Sequence, residues 1–337
     1  MSPTLRQIAK KSKSAIIAYT IYENWSTTRR FNSGNTESIL GSTHKGRTLE
    51  QSLDYIIAQF NDYLTYSGLQ SSGFRGKRIL EVGFGDNIGV ALKFIAEGAS
   101  HVSCLDKFYA KRDNEQERHI YGALRETLDE GAKSRFNEAI DLTNGVVRNE
   151  ERIQCIYGVD VEESEVLASG PPFDFVISRG AIQDIYEPEK AFEGMDRLLV
   201  PGGFMLHKID LSDKGMFRDH GLNPLTYLTI PEPVYRLMAQ GSGRANRKLM
   251  SDYRAILTGL GYEGRLLITD VIGRKGKGDL HPHKEALDRG AEYIATAQIL
   301  VNEIRPRLIP KFRALPDDEL IISGVFLIAR KPITRGQ

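Results

Sequence analysis

The chain has 337 residues, 41% of them apolar, enough to bury the core of one large domain or of a domain with an accessory lobe. Its 45 basic and 44 acidic side chains leave a net charge of +1, which argues against a polyelectrolyte binder, since a dedicated nucleic-acid protein carries a clear basic excess. Only two cysteines are present, Cys104 and Cys155, each in an apolar strand-like run, so a disulfide framework is not expected and a reducing compartment fits. No run approaches the roughly 20 apolar residues needed to span a bilayer. No signal peptide with a cleavage site is visible, and a cytoplasmic protein is expected.

Residues 1–75 read as a helical N-terminal cap or lid. Met1 to Tyr22 carries Arg6, Lys10, Lys11 and Lys13 with no acid before Glu23, and Ile8, Ala15, Ile16, Ala18, Tyr19 and Tyr22 recur at loosely helical spacing. This is a helix docked on the main domain, a basic helix touching anionic lipid, or a lid over a substrate. Residues 32–47 are rich in Ser, Thr, Asn and Gly and read as a mobile loop. From Thr48 a helix is predicted with Leu49, Leu53, Ile56, Ile57, Phe60 and Leu64 on one face, Thr48 as its N-cap and Gly68 just past its end.

The stretch from Lys77 to Asp106 organises the rest. Ile79, Leu80 and Val82 form a short apolar run, the pattern of a strand buried on both faces. Glycines follow at Gly83, Gly85 and Gly89. Val90, Ala91, Leu92, Phe94, Ile95 and Ala96 give a helix ending at Gly98, and His101 to Leu105 a second strand ending on Asp106. This is a βαβ unit with its ligand site at the carboxyl end of the first strand. In a dinucleotide fingerprint the third glycine comes one residue earlier, and Glu81 would repel a diphosphate while suiting a cationic ligand.

The E-x-G-x-G turn from Glu81 to Gly85 resembles motif I of the class I S-adenosylmethionine (SAM) dependent methyltransferases. That resemblance implies an α/β fold, a doubly wound, mostly parallel seven-stranded sheet in the order 3-2-1-4-5-7-6. It implies that Gly83, Phe84 and Gly85 bring bare backbone to the methionine part of SAM and that Glu81 helps hold that end. Asp106 stands where the family binds both ribose hydroxyls, two acceptor oxygens matching a vicinal diol; Lys107 adjoins it.

After Asp106 the connection of residues 107–152 is longer than one crossover helix requires, so an extra helix or loop is expected. Ile153 to Tyr157 is the third strand. Asp160, followed by Val161, is placed to bond the adenine amino group in the resembling family, or is a turn or helix-capping aspartate. Phe173 to Ser178 is the fourth strand, with Asp174 at its start in a structural role. Ser178, Arg179 and Gly180 are expected to face the SAM methyl group. Enzymes of this family that act on base amino groups or glutamine amides carry D/N-P-P-Y/F there, whereas this chain has S-R-G-A; Pro171-Pro172-Phe173 lies before the strand. The next helix turns Ala191, Met195, Leu198 and Leu199 inward, and Pro201-Gly202-Gly203 leads into the fifth strand, Phe204 to Ile209.

His207, Lys208 and Asp210 then lie at that strand's carboxyl end, the edge where open α/β sheets bind ligands. An irregular insertion, residues 211–248, is expected to cap the substrate. A helix over Arg244 to Gly259, a sixth strand over Arg265 to Ile272 and a seventh over Leu320 to Pro332 would complete an antiparallel edge hairpin. Its long connection, residues 273–319, includes a helix from about Lys284 to Ile304 and forms part of a substrate lobe or a homodimer contact. Asp279, His281 and His283 make a two-histidine turn read as solvent-facing, and no metal is expected.

The resemblance implies a SAM-dependent methyltransferase occupying residues 76–337. Acceptor chemistry must be read from the remaining residues. A hydroxyl acceptor needs a base, and the candidates are His207, whose unperturbed pKa near 6.5 suits the task, then His220 in the insertion, then Asp184. Arg179 would bind an anionic acceptor or pair with Asp184. O-methylation of a small molecule or saccharide is expected. A nucleic-acid or protein methyltransferase and a non-catalytic SAM-binding subunit are the alternatives.

Overall fold

The computed structural model describes residues 12–38, 43–166, 170–241, 243–274 and 291–333. Arg6, Lys10, Lys11, Asp279, His281, His283 and the start of the helix expected from Lys284 lie outside the described residues. No described helix is long and apolar enough to cross a membrane.

Seven strands form one sheet: β1 (Arg78–Val82), β2 (His101–Asp106), β3 (Ile153–Tyr157), β4 (Phe173–Arg179), β5 (Leu199–Asp210), β6 (Glu263–Val271) and β7 (Ile322–Arg330). Their spatial order is β3-β2-β1-β4-β5-β7-β6. Strands β1 to β5 run parallel, and β7 lies antiparallel to both β5 and β6. This is the doubly wound order expected from the sequence. Because β1 is flanked by β2 and β4, the chain leaves it in opposite directions and a crevice opens above its carboxyl end. Asp174 is structural, as expected: its carboxylate accepts from Lys77 Nζ at 2.8 Å and from the Arg78 N–H at 2.9 Å.

The sheet is coated on both faces, which is why its central strands read as unbroken apolar runs. One face, including Ile79, Val102, Cys104, Ile177 and Leu206, packs against N-terminal helices. The other, including Leu80, Leu105, Val176, Met205 and Ile209, packs against the C-terminal half. Helix α1 (Lys13–Asn32) runs ten residues past the stretch read from the sequence. Helix α2 (Leu49–Ser67) begins with a reciprocal cap between Thr48 and Gln51 and stops at left-handed Gly68. Its inward face is Ile56, Phe60, Tyr63 and Tyr66, a rotation from the predicted stripe that leaves Leu49 in solvent. The aromatic residues fill the deeper space above β1 and β7, where Tyr66 stacks on Phe326 at 4.2 Å.

Helix α3 (Gly89–Ala96) crosses from β1 to β2. The long connection after β2 does contain a second helix: α4 (Asn114–Glu126), capped by Asp113, is followed by α5 (Glu130–Ala139), capped by Asp129. The segment read as a mobile loop is tied down at both described ends. Glu37 and Ser38 pair with Tyr109 and Ala110, and the Thr43 and His44 N–H groups donate to buried Asp86.

Helix α6 (Pro188–Leu198) buries Ala191, Met195 and Leu198 as expected, and Leu199 already belongs to β5. The insertion after β5 carries α7 (Glu232–Ala239), packed beside α1, where Asn24 Nδ2 donates to the Leu237 carbonyl at 3.0 Å. The helix expected from Arg244 starts only at Met250 as α8 (Met250–Gly259). Long-range bonds hold the preceding residues extended: Asn246 N–H donates to the Gln183 carbonyl and Arg247 binds Glu232. Helix α9 (Ala291–Ile304) lies in the β6–β7 connection.

Candidate functional site

The turn after β1 holds Gly83 and Gly85 at φ +75° and +71°. Gly83 is required for a second reason. A Cβ there would lie 2.3 Å from the Ala181 Cβ, so the turns after β1 and β4 touch through bare backbone. Two hollows meet at this contact, and both are bordered by Gly83 and Gly180. The larger, about 340 Å³, runs from the tips of β2 and β3 to the segment after β4 and to Gln240 and Gly241 beyond α7. The smaller, about 90 Å³, is a polar chamber beneath α2.

At the β2 tip, Asp106 is oriented by two backbone donors. Its Oδ2 accepts from the Gly85 N–H at 3.1 Å and its Oδ1 from the Phe108 N–H at 3.0 Å. Burial raises its pKa and these two bonds oppose that rise. Lys107 lies over the Phe31 ring at 5.1 Å and binds Asp160 at 2.8 Å. Asp106, Lys107, Asp160 and Val161 therefore share the larger hollow, with Glu162 beside them.

Glu81 lies in the smaller chamber, 3% exposed. Desolvation pushes its carboxyl up to about 8, and Oε2 has no hydrogen-bond partner among the described residues. Asn87 Nδ2 and His44 Nδ1 are likewise unpartnered there. Phe84 lines the chamber and packs against Tyr157, ring centroids 5.3 Å apart. Arg179 also borders the chamber, but it pairs with Asp62 of α2, which Lys208 approaches to 3.9 Å, and not with Asp184 as the sequence suggested.

Asp184 also borders the larger hollow. Its Oδ2 accepts from Lys214 Nζ at 2.5 Å, while Oδ1 has no partner among the described residues. Burial pushes its pKa up to about 6 against the opposing pull of Lys214. Lys214 has φ +49°, the left-handed region in which side chains other than glycine are uncommon.

Three expected site residues are elsewhere. His207 is fully buried under α6: its Nδ1 and Ser178 Oγ are hydrogen-bonded at 2.8 Å, and its ring meets Phe192 edge-on at 5.6 Å. The first candidate base borders neither hollow, and burial lowers its pKa to about 3, which keeps the ring neutral. Ser178 is its buried partner and does not face the crevice. Both residues fall on the inward phase of strands covered on each side. His220 sits half-buried in the turn Arg218–His220 and borders neither hollow. Among site residues the sequence reading missed, Asn87 lay inside the glycine motif and was findable. Gln59 of the smaller hollow and Tyr186 and Gln240 of the larger carried no local signal.

No protein-family model and no curated protein matches the chain. Among solved structures it is similar to a Haemonchus contortus phosphoethanolamine N-methyltransferase 2 in complex with SAM, at 17% identity over 83% of this chain and 56% of that one, TM-score 0.42. It is similar to an O-methyltransferase from Bacillus cereus at 14% identity over 84% and 90%, TM-score 0.38. It is also similar to an arsenic(III) methyltransferase from Chlamydomonas reinhardtii at 18% over 79% and 66%, TM-score 0.37. With scores this low, the assignment rests on the strand order and the antiparallel β7 between β5 and β6. The chain has the class I methyltransferase fold. Open sheets of this kind bind ligands above the carboxyl ends of their strands; here the larger hollow joins the Asp106 and Asp160 carboxylates to Gln240 and Gly241 of the insertion, and the smaller encloses Glu81 beneath α2.

Proposed function

We propose that the crevice binds SAM and that the chain transfers its methyl group to a small organic acceptor, a hydroxyl compound by preference. The observation that carries this reading is the placement of two carboxylates on either side of one bare glycine turn: Asp106 in the larger hollow and Glu81 in the smaller. A ligand with a vicinal diol at one end and an ammonium at the other matches both. The residues fit such a group. The unpartnered Glu81 Oε2 would meet an ammonium, Asn87 Nδ2 would meet a carboxylate, and the chain between the two ends would pass along Gly83 and Gly180, which border both hollows.

Asp106 would hold the ribose hydroxyls, Asp160 and Val161 would border the adenine, and Glu81 with Asn87 would hold the amino-acid end. When bound, SAM supplies a methyl carbon already attached to a good leaving group. What the chain supplies is alignment, exclusion of water and a base, and alignment alone contributes on the order of 7–11 kcal/mol in favourable cases. Asp184 is the base in this reading. Its free Oδ1 takes the acceptor's proton, its pKa of about 6 leaves it ionised at neutral pH, and Lys214 steadies the other oxygen.

The test is coproduct release from SAM across a panel of hydroxyl, amine and carboxylate acceptors. S-adenosylhomocysteine formed with hydroxyl acceptors and lost in Asp184→Asn supports the reading. Turnover with amines or carboxylates alone, or full activity of Asp184→Asn, contradicts the hydroxyl assignment and the base respectively.

A further inference from the structure

Between α1 and α7 lies a second depression, a groove of about 650 Å³. Tyr22, Trp25 and Leu237 form its rim at 61%, 55% and 58% exposure. Single exposed apolar residues are ordinary, but contiguous ones on facing helices mark binding surfaces. The spacing of Ala18, Tyr22, Trp25 and Arg29 lines them up along one stripe of α1. The Arg29 guanidinium lies 5.5 Å over the Trp25 ring and Tyr22 abuts it at 6.2 Å, so the indole is braced from two directions.

The groove is not purely apolar. Asn24, 7% exposed, lines it and spends its amide N–H on the Leu237 carbonyl, while its Oδ1 has no partner among the described residues. Thr28 Oγ1, which also lines it, is unpartnered in the same sense. Buried polar atoms of this kind cost stability unless a ligand group meets them.

The groove adjoins the crevice. Gln240 borders both. Next to it Gly241 lies so close to Thr28 that a Cβ would come 2.8 Å from Oγ1, so bare backbone meets α1 at this point. Arg244 of the same segment pairs with Glu23 of α1 and fixes the two walls together.

We infer that this groove holds the far end of the methyl acceptor, an uncharged ring system bearing hydroxyl groups, of the aryl glycoside kind, whose near end lies in the crevice beside Gln240. The ring faces stack on Trp25 and Tyr22. Ligand hydroxyls donate to Asn24 Oδ1 and exchange a hydrogen bond with Thr28 Oγ1. Among the described residues bordering the groove Arg29 alone is charged, and its charge is stacked on Trp25, which favours an uncharged occupant. The assignment to an acceptor rests on the methyl-transfer reading of the crevice, whereas occupancy of the groove is measurable by itself.

Trp25 is the chain's single tryptophan, so intrinsic fluorescence reports on the groove directly. Titration of phenyl β-D-glucoside into the full chain holding S-adenosylhomocysteine should give a saturable change in Trp25 emission. Leu237→Glu, a change at an exposed position, and Thr28→Val should each weaken it at least tenfold. No saturable change, or a change that both variants leave intact, overturns the inference. A response to phosphatidylglycerol vesicles without one to the glycoside overturns it in favour of membrane contact. Calorimetric binding of S-adenosylhomocysteine to the same wild-type protein reports on the crevice separately, so failure of the groove and failure of the methyl-transfer reading are told apart.

Discussion

The two halves of the crevice are built in different ways. Its cofactor half, at the tips of β1, β2 and β3, uses residues adjacent in sequence: Glu81, Gly83, Gly85 and Asp106 fall within one βαβ unit. The half in which we place the acceptor draws Asp184 from the turn after β4, Lys214 from the insertion after β5, and Gln240 and Gly241 from the end of α7. A site made from one supersecondary unit can be read from spacing, because the strand and turn fix where each side chain goes. A site made from separate segments depends on how insertions pack, and spacing says nothing about that.

The sharpest break of this contrast is Gly83→Val. The positive φ and the collision with Ala181 should lower stability by about 2–4 kcal/mol and abolish measurable cofactor binding, checked by denaturant titration and calorimetry. Such a loss would show that the cofactor half depends on backbone shape. Asp184→Asn probes the other half. It should reduce kcat by about 10²–10⁴-fold while leaving SAM affinity within a few fold. In the wild type the rate should fall as pH drops through about 6, where Asp184 takes up a proton, and this limb should vanish in the variant.

Asp106→Ala should weaken SAM binding by about 1–3 kcal/mol through loss of charge-assisted hydrogen bonds. An unchanged dissociation constant would remove Asp106 from the site. The smallest effect on function is expected from His207→Ala. It should cost about 1–3 kcal/mol of stability by leaving Ser178 unpaired, with SAM affinity retained. Because burial holds the folded-state pKa of His207 near 3, the unfolded chain binds its proton first. The stability this residue contributes is therefore present above about pH 6.5 and is lost as pH falls below it.

These outcomes track what was legible in the sequence. The strand order was, because the run from Lys77 to Asp106, the turn Pro201 to Gly203 and the last apolar run each carry a local pattern. His207 was expected at the site because the carboxyl ends of the strands line the ligand edge, yet it borders neither hollow. His207 lies between Leu206 and Lys208 on a strand flanked by β4 and β7, and its phase turns it under Phe192. The pairing of Arg179 was misread for a related reason, since Asp62 is 117 residues away in sequence and no local pattern joins them. The inward face of α2 was rotated because an apolar count undervalues Tyr63 and Tyr66, both fully buried.

Calorimetric titration of SAM at pH 7 in buffers of different ionisation enthalpy bears most directly on the central claim. Glu81, held near 8 by burial, is mostly protonated before binding and should ionise against the ligand's ammonium. One saturable site is expected, with release of most of one proton on binding and loss of that release in Glu81→Gln. Absence of SAM binding, or saturable binding of NADH in its place, would contradict the claim.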